Sequence, residues 1–327
     1  MEIVEVDGRD ATVFERFFTL RDAVRQEDEF PSNRGIEEAR VLMADEHSDV
    51  RANGLGLVDG DTWLGIAWLD WWLQENTHEV TLELAVAAQY RRTGVGSRLL
   101  DAVIERAKAA GRTLVSSTMH ADAETGESAG TAFAAARGFE RKHVELHQVL
   151  ELPLSEERLA ELDQPVDGYR ILQWRDEHPD EWIEQFADAL SAMAEDVPTG
   201  EASSEPARWT PERVRETDAL RIKQGRFCHT TVAIDADGQL AAYTEMGGST
   251  TNPDRLFQWG TFVRREHRGR RLGLAVKVPN FRSLQAELDQ PAVLHTWNAP
   301  TNTPMIAVNE HLGFRPVAQR QDWELEL

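Results

Sequence analysis

The chain has 327 residues, 41% of them hydrophobic, and carries 57 acidic against 35 basic side chains for a net charge of −22. That length is generous for one compact domain and comfortable for two of about 150 residues each, and the acidity argues against nucleic acid as a partner, since a polyanion is repelled. The single cysteine, Cys228, excludes a disulfide framework and any multi-thiolate zinc site, so no metal is expected.

In chain order, a short strand over Glu2–Val6 is expected first, then helices over Ala11–Gln26 and Ile36–Ala44 and strands over Arg51–Val58, Thr62–Leu73 and Glu79–Val86. In the second of these strands Trp68, Asp70 and Trp72 alternate with Leu69, Trp71 and Leu73, the period of an antiparallel strand. A helix over Gly94–Ala110 places Leu99, Leu100, Val103, Ile104 and Ala107 on one face, and Gly111 ends it. Strand Thr113–Met119, helix Glu127–Arg137 and strands Phe139–Arg141 and Val144–Leu152 follow. The predicted division is a first domain over 1–153, an acidic, turn-rich linker over 154–168, and a second domain over 169–327. The order of elements then repeats: strand Tyr169–Trp174, helix Pro179–Met193, an irregular stretch over Glu195–Pro211, and helix Glu212–Lys223. Strands Phe227–Asp235, Leu240–Met246 and Leu256–Val263, helix Arg270–Leu288, strand Val293–Asn298, helix Asn302–Leu312 and two terminal strands complete it. Repetition of a whole α/β unit indicates duplication. Cys228 falls in an apolar run and reads as a buried strand thiol. The acidic start has no signal-peptide core, and no stretch approaches the roughly 18 apolar residues of a membrane span. A cytoplasmic protein without a membrane partner is expected.

The most informative feature is a pair of turns. Val86 closes a strand, Arg91-Arg92-Thr93-Gly94-Val95-Gly96 turns, and a helix starts. In the second half Val263 closes a strand and Arg268-Gly269-Arg270-Arg271-Leu272-Gly273 turns into a helix, at one constant offset from the first. Such a turn can hold a phosphate: helix N-terminal amides point outward, the helix dipole adds partial positive charge, and glycine lets backbone approach closely. Five arginines crowd Arg264–Arg271 on an otherwise acidic chain. They point to a small, highly charged anion.

Arg91-x-x-Gly94-x-Gly96 between a strand and a helix, with Gly138-Phe139 and Gly313-Phe314 downstream, resembles the coenzyme A loop of the GNAT superfamily of N-acetyltransferases. The tandem layout is similar to that of mycothiol synthase and related two-domain actinobacterial acetyltransferases. The resemblance implies an α/β fold of two tandem GNAT-like domains, each a mixed, mostly antiparallel sheet with splayed central strands flanked by helices. It implies acetyl-CoA as cofactor. The pantetheine arm would lie along Leu84-Ala85-Val86 and Thr261-Phe262-Val263, and the pyrophosphate on the amides of Arg91 to Gly96 and of Arg268 to Gly273. Asn302 opens the penultimate helix where the family uses an asparagine near the cofactor; Glu127 stands there in the first half. Arg271 departs from the pattern by replacing the first glycine, and its guanidinium is expected to reach the pyrophosphate.

Acyl transfer to an amine needs a neutral acceptor, so a carboxylate should face the thioester. Glu83, on the strand that ends at Val86, is the candidate base of the first domain. The second has Gly260 there, and Glu245 is its candidate, with His295 as the rival. Many family members place a tyrosine on the helix before Gly-Phe to protonate the leaving thiolate; Ala134 and Asn309 hold those places here, and Tyr90, Tyr169 and Tyr243 lie elsewhere. The expected activity is acetylation of a small-molecule amine by direct attack in a ternary complex, by a monomer or homodimer. Alternatives are a longer acyl-CoA or a protein amine, and a non-catalytic CoA-binding or scaffolding protein. Acidic residues over Glu195–Pro211 favour a cationic amine.

Overall fold

The computed structural model describes residues 1–27, 35–163 and 165–327. They form two compact units: unit 1 is Met1–Glu145 with Thr199–Glu205 and Ala318–Leu327, and unit 2 is Leu146–Pro198 with Pro206–Val317.

Unit 1 begins with β1 (Glu2–Val6), α1 (Ala11–Arg25) and α2 (Ile36–Ala44). The Asp10 carboxylate accepts from the amides of Thr12 and Val13, both at 3.1 Å, and so starts α1. Phe14, Phe17, Phe18 and Arg21 then share one helical stripe, and all four are buried. Next come β2 (Val50–Asp59), β3 (Thr62–Trp72), β4 (Glu79–Val86), α3 (Val95–Ala109), β5 (Leu114–Asp122) and α4 (Ala129–Ala136). Helix α3 buries Val95, Leu99, Leu100, Val103 and Ala107 against one face of the sheet. Each such leucine contributes about 1.5–3 kcal/mol of hydrophobic stabilisation. Helices α1 and α2 cover the other face with Phe14, Phe17, Leu42 and Met43 over Ile66 and Trp68.

The next strand, β6 (Glu140–Leu152), is one continuous element rather than the two expected. From Leu146 onward it belongs to unit 2, where it pairs antiparallel with β11 (Ala292–Asn298). The last strand, β12 (Arg315–Glu326), is also continuous. From Ala318 onward it belongs to unit 1 and pairs antiparallel with β5. The strand order of unit 1 is therefore β1-β2-β3-β4-β5-β12. Unit 2 also contains α5 (Glu156–Leu162), β7 (Arg170–Arg175), α6 (Ile183–Asp196), α7 (Pro211–Lys223), β8 (Arg226–Ile234), β9 (Leu240–Ser249), β10 (Asn252–Val263), α8 (Leu272–Gln285) and α9 (Thr303–Leu312). Its strand order is β6-β11-β10-β9-β8-β7. Helix α5 occupies a stretch read from sequence as turn-rich; Ser155 caps it, and Leu159 and Leu162 bury in the unit 2 core.

Each unit is α/β, and its strands are mixed and mostly antiparallel, with one parallel pair. In unit 1 that pair is β4 and β5, joined only from Glu79/Leu114 to Thr81/Ser116. In unit 2 it is β10 and β11, joined only from Arg255/Val293 to Phe257/His295. Beyond those points the strands diverge, and β4 from Leu82 to Val86 and β10 from Gln258 to Val263 have a partner on one side only.

Candidate active site

Each divergent strand leads into the same turn. Ala88–Tyr90 and Arg265–His267 form single 3-10 turns, and two left-handed residues follow in each loop. In unit 1 these are Arg92 (φ 64°) and Gly94 (φ 92°); in unit 2 they are Gly269 (φ 78°) and Arg271 (φ 61°). The backbone is the same and the glycine has changed places with the arginine. Gly94 and Arg271 are the N-caps of α3 and α8, and no side chain caps either helix. Their first-turn amides are left for an anion, and no heavy atom lies within 4 Å of a Cβ built on Gly94, Gly269 or Gly273. Helix N-termini left open in this way can hold an anion.

Arg91 and Arg268 do not face that opening. The Arg91 Nε donates to the Val86 carbonyl at 3.1 Å and its Nη2 to Glu27 at 2.8 Å. The Arg268 Nε donates to the Val263 carbonyl at 3.1 Å, and its Nη2 pairs with Asp196. In both loops the arginine ties the turn to the end of its strand, so the amides and not this guanidinium form the cradle. Arg264 pairs with Asp188, Arg265 with Asp196, and Arg270 donates to the Tyr169 hydroxyl. Arg271, exposed like Arg265, Arg268 and Arg270, stands at the N-cap of α8. A left-handed arginine costs about 1 kcal/mol relative to glycine. Arg271→Gly is therefore expected to raise stability slightly while weakening coenzyme A binding by unit 2 about ten-fold, the worth of one charge-assisted contact. Calorimetric titration checks this, and tighter binding by the glycine variant would mean that the side chain obstructs the site.

Strand alternation decides which backbone groups face the gap. The Leu82 carbonyl accepts from the Ser117 hydroxyl of β5 at 2.7 Å, so Leu82, Leu84 and Val86 turn their main-chain groups toward β5, and Ala85 faces β3. In unit 2 the same pattern gives Thr261 and Val263, with Phe262 facing β9. Asn302 is the N-cap of α9, and its side chain makes no capping bond.

Glu83 does not sit in a setting that suits a base. Arg21 donates to it through Nε at 3.0 Å and Nη2 at 2.7 Å, and Arg25 through Nε at 3.1 Å. Burial pushes the carboxyl up, but the charges and hydrogen bonds of Arg21 and Arg25 outweigh it and hold Glu83 far below the usual carboxylate range. A carboxylate so stabilised has little proton affinity. The same face carries a better placed group. Glu79, Thr81 and Glu83 alternate along β4, and Thr81 is level with Ser116 of β5 at the point where the strands part. Ser116 in turn is level with Glu324 of β12, and Thr118 with Asp322. The Thr81 and Ser116 hydroxyls are 3.0 Å apart, Thr118 donates to Asp322 at 2.7 Å, and Ser203 donates to Glu324 through its amide and its hydroxyl. Burial, then the nearby charges of Glu324 and Asp322, raise Glu79 to about 7 despite hydrogen bonds from Ser116 and Thr81. Glu79 could have been found in the sequence from its shared face with Glu83; its acidic neighbours on β12 could not.

Glu245 lies on β9 opposite Gly260 and is 7% exposed. It accepts from the Cys228 thiol at 3.5 Å, and stands 3.8 Å from Arg221 and 3.9 Å from His178 Nε2. His178 Nδ1 is 2.8 Å from Asp218. The buried set Asp218–His178–Glu245–Arg221 spans α7, β9 and the segment before α6, and sequence reading missed His178 and Asp218. Cys228 is fully buried, and burial and Glu245 raise its thiol well above the ordinary value. His295 pairs with His147 at 2.9 Å. Ala134 is fully buried in the apolar core of unit 1, and Asn309 takes part in a polar cluster of unit 2. Among the described residues no cluster of metal-ligating side chains occurs, and no helix is long and apolar enough to cross a membrane.

Residues 21–139 match the model of the acetyltransferase (GNAT) family. A tandem GNAT protein from the clavulanic acid biosynthesis pathway is 26% identical, with a TM-score of 0.86, 99% of this chain and 98% of that one being covered. A GCN5-related N-acetyltransferase from Sphaerobacter thermophilus is 14% identical, with a TM-score of 0.69 over 99% and 95% of the two chains. Saccharomyces cerevisiae N-myristoyltransferase is 13% identical, with a TM-score of 0.61 over 99% and 80%. The last two show the fold alone. No curated protein matches. The protein therefore has a tandem GNAT-like architecture, and residues 21–139 of its first half match the acetyltransferase (GNAT) family.

Proposed function

We propose that the protein is an acyl-CoA-dependent N-acyltransferase, and that it transfers acetyl from acetyl-CoA to the amine of a small molecule by direct attack in a ternary complex. The observation that carries this reading is the duplicated arrangement of a strand with an unpaired edge, a turn with two left-handed residues, and an uncapped helix N-terminus. It fits an extended thioester carrier with a pyrophosphate. The amides of Arg92 to Gly96 and of Gly269 to Gly273 would hold phosphate, and the main-chain groups of Leu84, Val86, Thr261 and Val263 would hold the pantetheine arm. The thioester supplies an activated acyl carbon, and an amide from this edge would polarise its carbonyl.

For unit 1, Glu79 is the group whose proton affinity suits removal of a proton from an ammonium near neutral pH. Asp322 and Glu324 beside it favour a cationic acceptor. Glu83 then serves to hold α1 and β4 together through Arg21 and Arg25. In unit 2, Glu245 with the His178–Asp218 pair takes the corresponding place. The proposed setting is cytoplasmic. Kinship to mycothiol synthase rests on the tandem layout alone, and an acceptor screen read by thiol release distinguishes acetyl from longer acyl donors and small-molecule from protein amines.

Gly94→Glu tests the first cradle. The Cβ meets nothing within 4 Å, so the substitution is expected to leave the fold intact apart from left-handed strain. Its carboxylate would stand where phosphate enters, and unit 1 should lose coenzyme A binding while unit 2 keeps it. Calorimetric stoichiometry reads the outcome; unchanged stoichiometry and affinity would remove the phosphate role from this loop.

A further inference from the structure

Lys277 is buried at 1% exposure on α8, with no carboxylate paired to it among the described residues. Its Nζ donates to Asn309 Oδ1 of α9 at 3.2 Å and lies 5.8 Å from the Phe314 ring. Asn309 Nδ2 donates to Gln148 Oε1 of β6 at 3.2 Å, and Asn298 of β11 approaches the same oxygen at 3.5 Å. Asn309 of α9, Gln148 of β6, Asn298 of β11 and Phe314 are all uncharged, and burial alone pushes the ammonium down to about 7. A buried cation without a counter-ion is expensive, and a stable core would replace it with an apolar side chain. Unit 1 does so: Leu100 and Ala134 take the corresponding places on α3 and α4 and are fully buried.

The cluster has a definite position in the wedge. Gln148 is level with Thr296, the first β11 residue past the last pairing with β10. Helix α8 starts at the phosphate cradle and runs back over the sheet, so Lys277 lies about 9 Å down its axis from Arg271. That is the direction in which a pantetheine arm in the gap would extend from its phosphates. The bridge from Lys277 to Asn309 therefore joins α8 and α9 across the closed end of the gap, where the arm would end in its sulfur.

We propose that Lys277 is the catalytic acid of unit 2, meeting the sulfur of the acyl carrier and supplying the proton to the departing thiolate. This rests on the acyl-CoA reading above. In the step the acceptor nitrogen bonds to the acyl carbon, the carbon–sulfur bond breaks with its electron pair on sulfur, and sulfur takes a proton from the Lys277 ammonium. The acceptor nitrogen releases its own protons to a base and to solvent, and the Lys277 amine is reprotonated from solvent. The transfer is downhill, because a thiol has a pKa of about 8.5. Asn309 is a positioning residue that fixes the Nζ.

The test compares binding of coenzyme A and of desulfo-coenzyme A, which lacks the sulfur, to the full chain carrying Gly94→Glu. With Lys277 in place, coenzyme A is expected to bind about ten-fold more tightly than desulfo-coenzyme A at pH 8, because its thiol donates a hydrogen bond to the largely neutral Lys277 amine. In Lys277→Met the preference should vanish, while desulfo-coenzyme A binds as before; Asn309→Ala should weaken the preference. Equal binding of the two ligands by the Lys277 protein would overturn the role of Lys277 and leave the cofactor reading standing. Absence of binding by either ligand to the chain without substitutions would overturn both. The ligand comparison is made on Lys277 itself, so the result does not depend on the folding of the methionine variant.

Discussion

Arg21→Met is expected to lower stability by about 3 kcal/mol, because it leaves Glu83 in a protein interior with one arginine instead of two. Arg21 is 7% exposed, meets Glu83 through two hydrogen bonds, and lies 5.0 Å from the Trp68 ring, so the methionine retains much of the packing and loses the charge. Adding Glu83→Gln should restore a large part of the loss, since the uncompensated charge and not the missing contact is what costs. The pH dependence has a definite sign. The folded-state pKa of Glu83 lies below its ordinary value of 4.5, so its contribution is complete above 4.5 and is lost as pH falls further. Arg21→Met should weaken that acid dependence. Denaturant midpoints of the parent, the single and the double variant measure these effects; a single variant within 0.5 kcal/mol (the roughly neutral range of a surface substitution) would show that the network holds nothing together.

Glu79→Gln should act in the opposite direction. The folded-state pKa of about 7 stands above the ordinary 4.5, so the folded state holds a proton that the unfolded chain releases. Stability from this group is complete below 4.5 and falls as pH rises toward 7. The difference corresponds to about 3 kcal/mol by linkage. The glutamine variant should match the parent at pH 4.5, exceed its stability at pH 8 by that order, and lose acyl transfer by unit 1 if Glu79 takes the proton. A midpoint difference that does not change between pH 4.5 and 8 would mean that Glu79 ionises normally, and the base role would lose its support. The acidic neighbours make a second comparison available: Glu324→Gln should lower the Glu79 pKa and shift the same transition to lower pH.

The amino-acid sequence by itself determined the local grammar of this protein. Alternation in Thr62–Trp72, the buried stripe of Leu99, Leu100, Val103 and Ala107, and the two glycine–arginine turns are patterns within about fifteen residues, and short-range sterics and one-sided burial suffice to produce them. The repeat, the α/β class and the position of both strand–turn–helix loops were legible for that reason. What the cradles contain was not. Arg91 and Arg268 turn back to Glu27 and Asp196, and Gly269 and Arg271 exchange the roles of Arg92 and Gly94, because the loop's left-handed positions are set by its closure against the strand and not by residue type alone.

Only the tertiary structure decided which strands share a sheet. Residues 146–152 and 318–326 have ordinary strand patterns, and nothing local says that the first pairs with β11 and the second with β5. A strand presents the same row of amides and carbonyls to any partner, and long-range register is chosen by the faces it must bury. That choice carries chemistry with it. It brings Asp322 and Glu324 of the last strand beside Glu79 and raises its proton affinity, and it brings Gln148 to Asn309 and Lys277. Glu83 reads as a base from its place on the strand that ends at Val86, but Arg21 and Arg25 come from a helix more than fifty residues away in the chain. A side chain's proton affinity is set by what surrounds it in space, and in this protein those surroundings come almost entirely from distant segments.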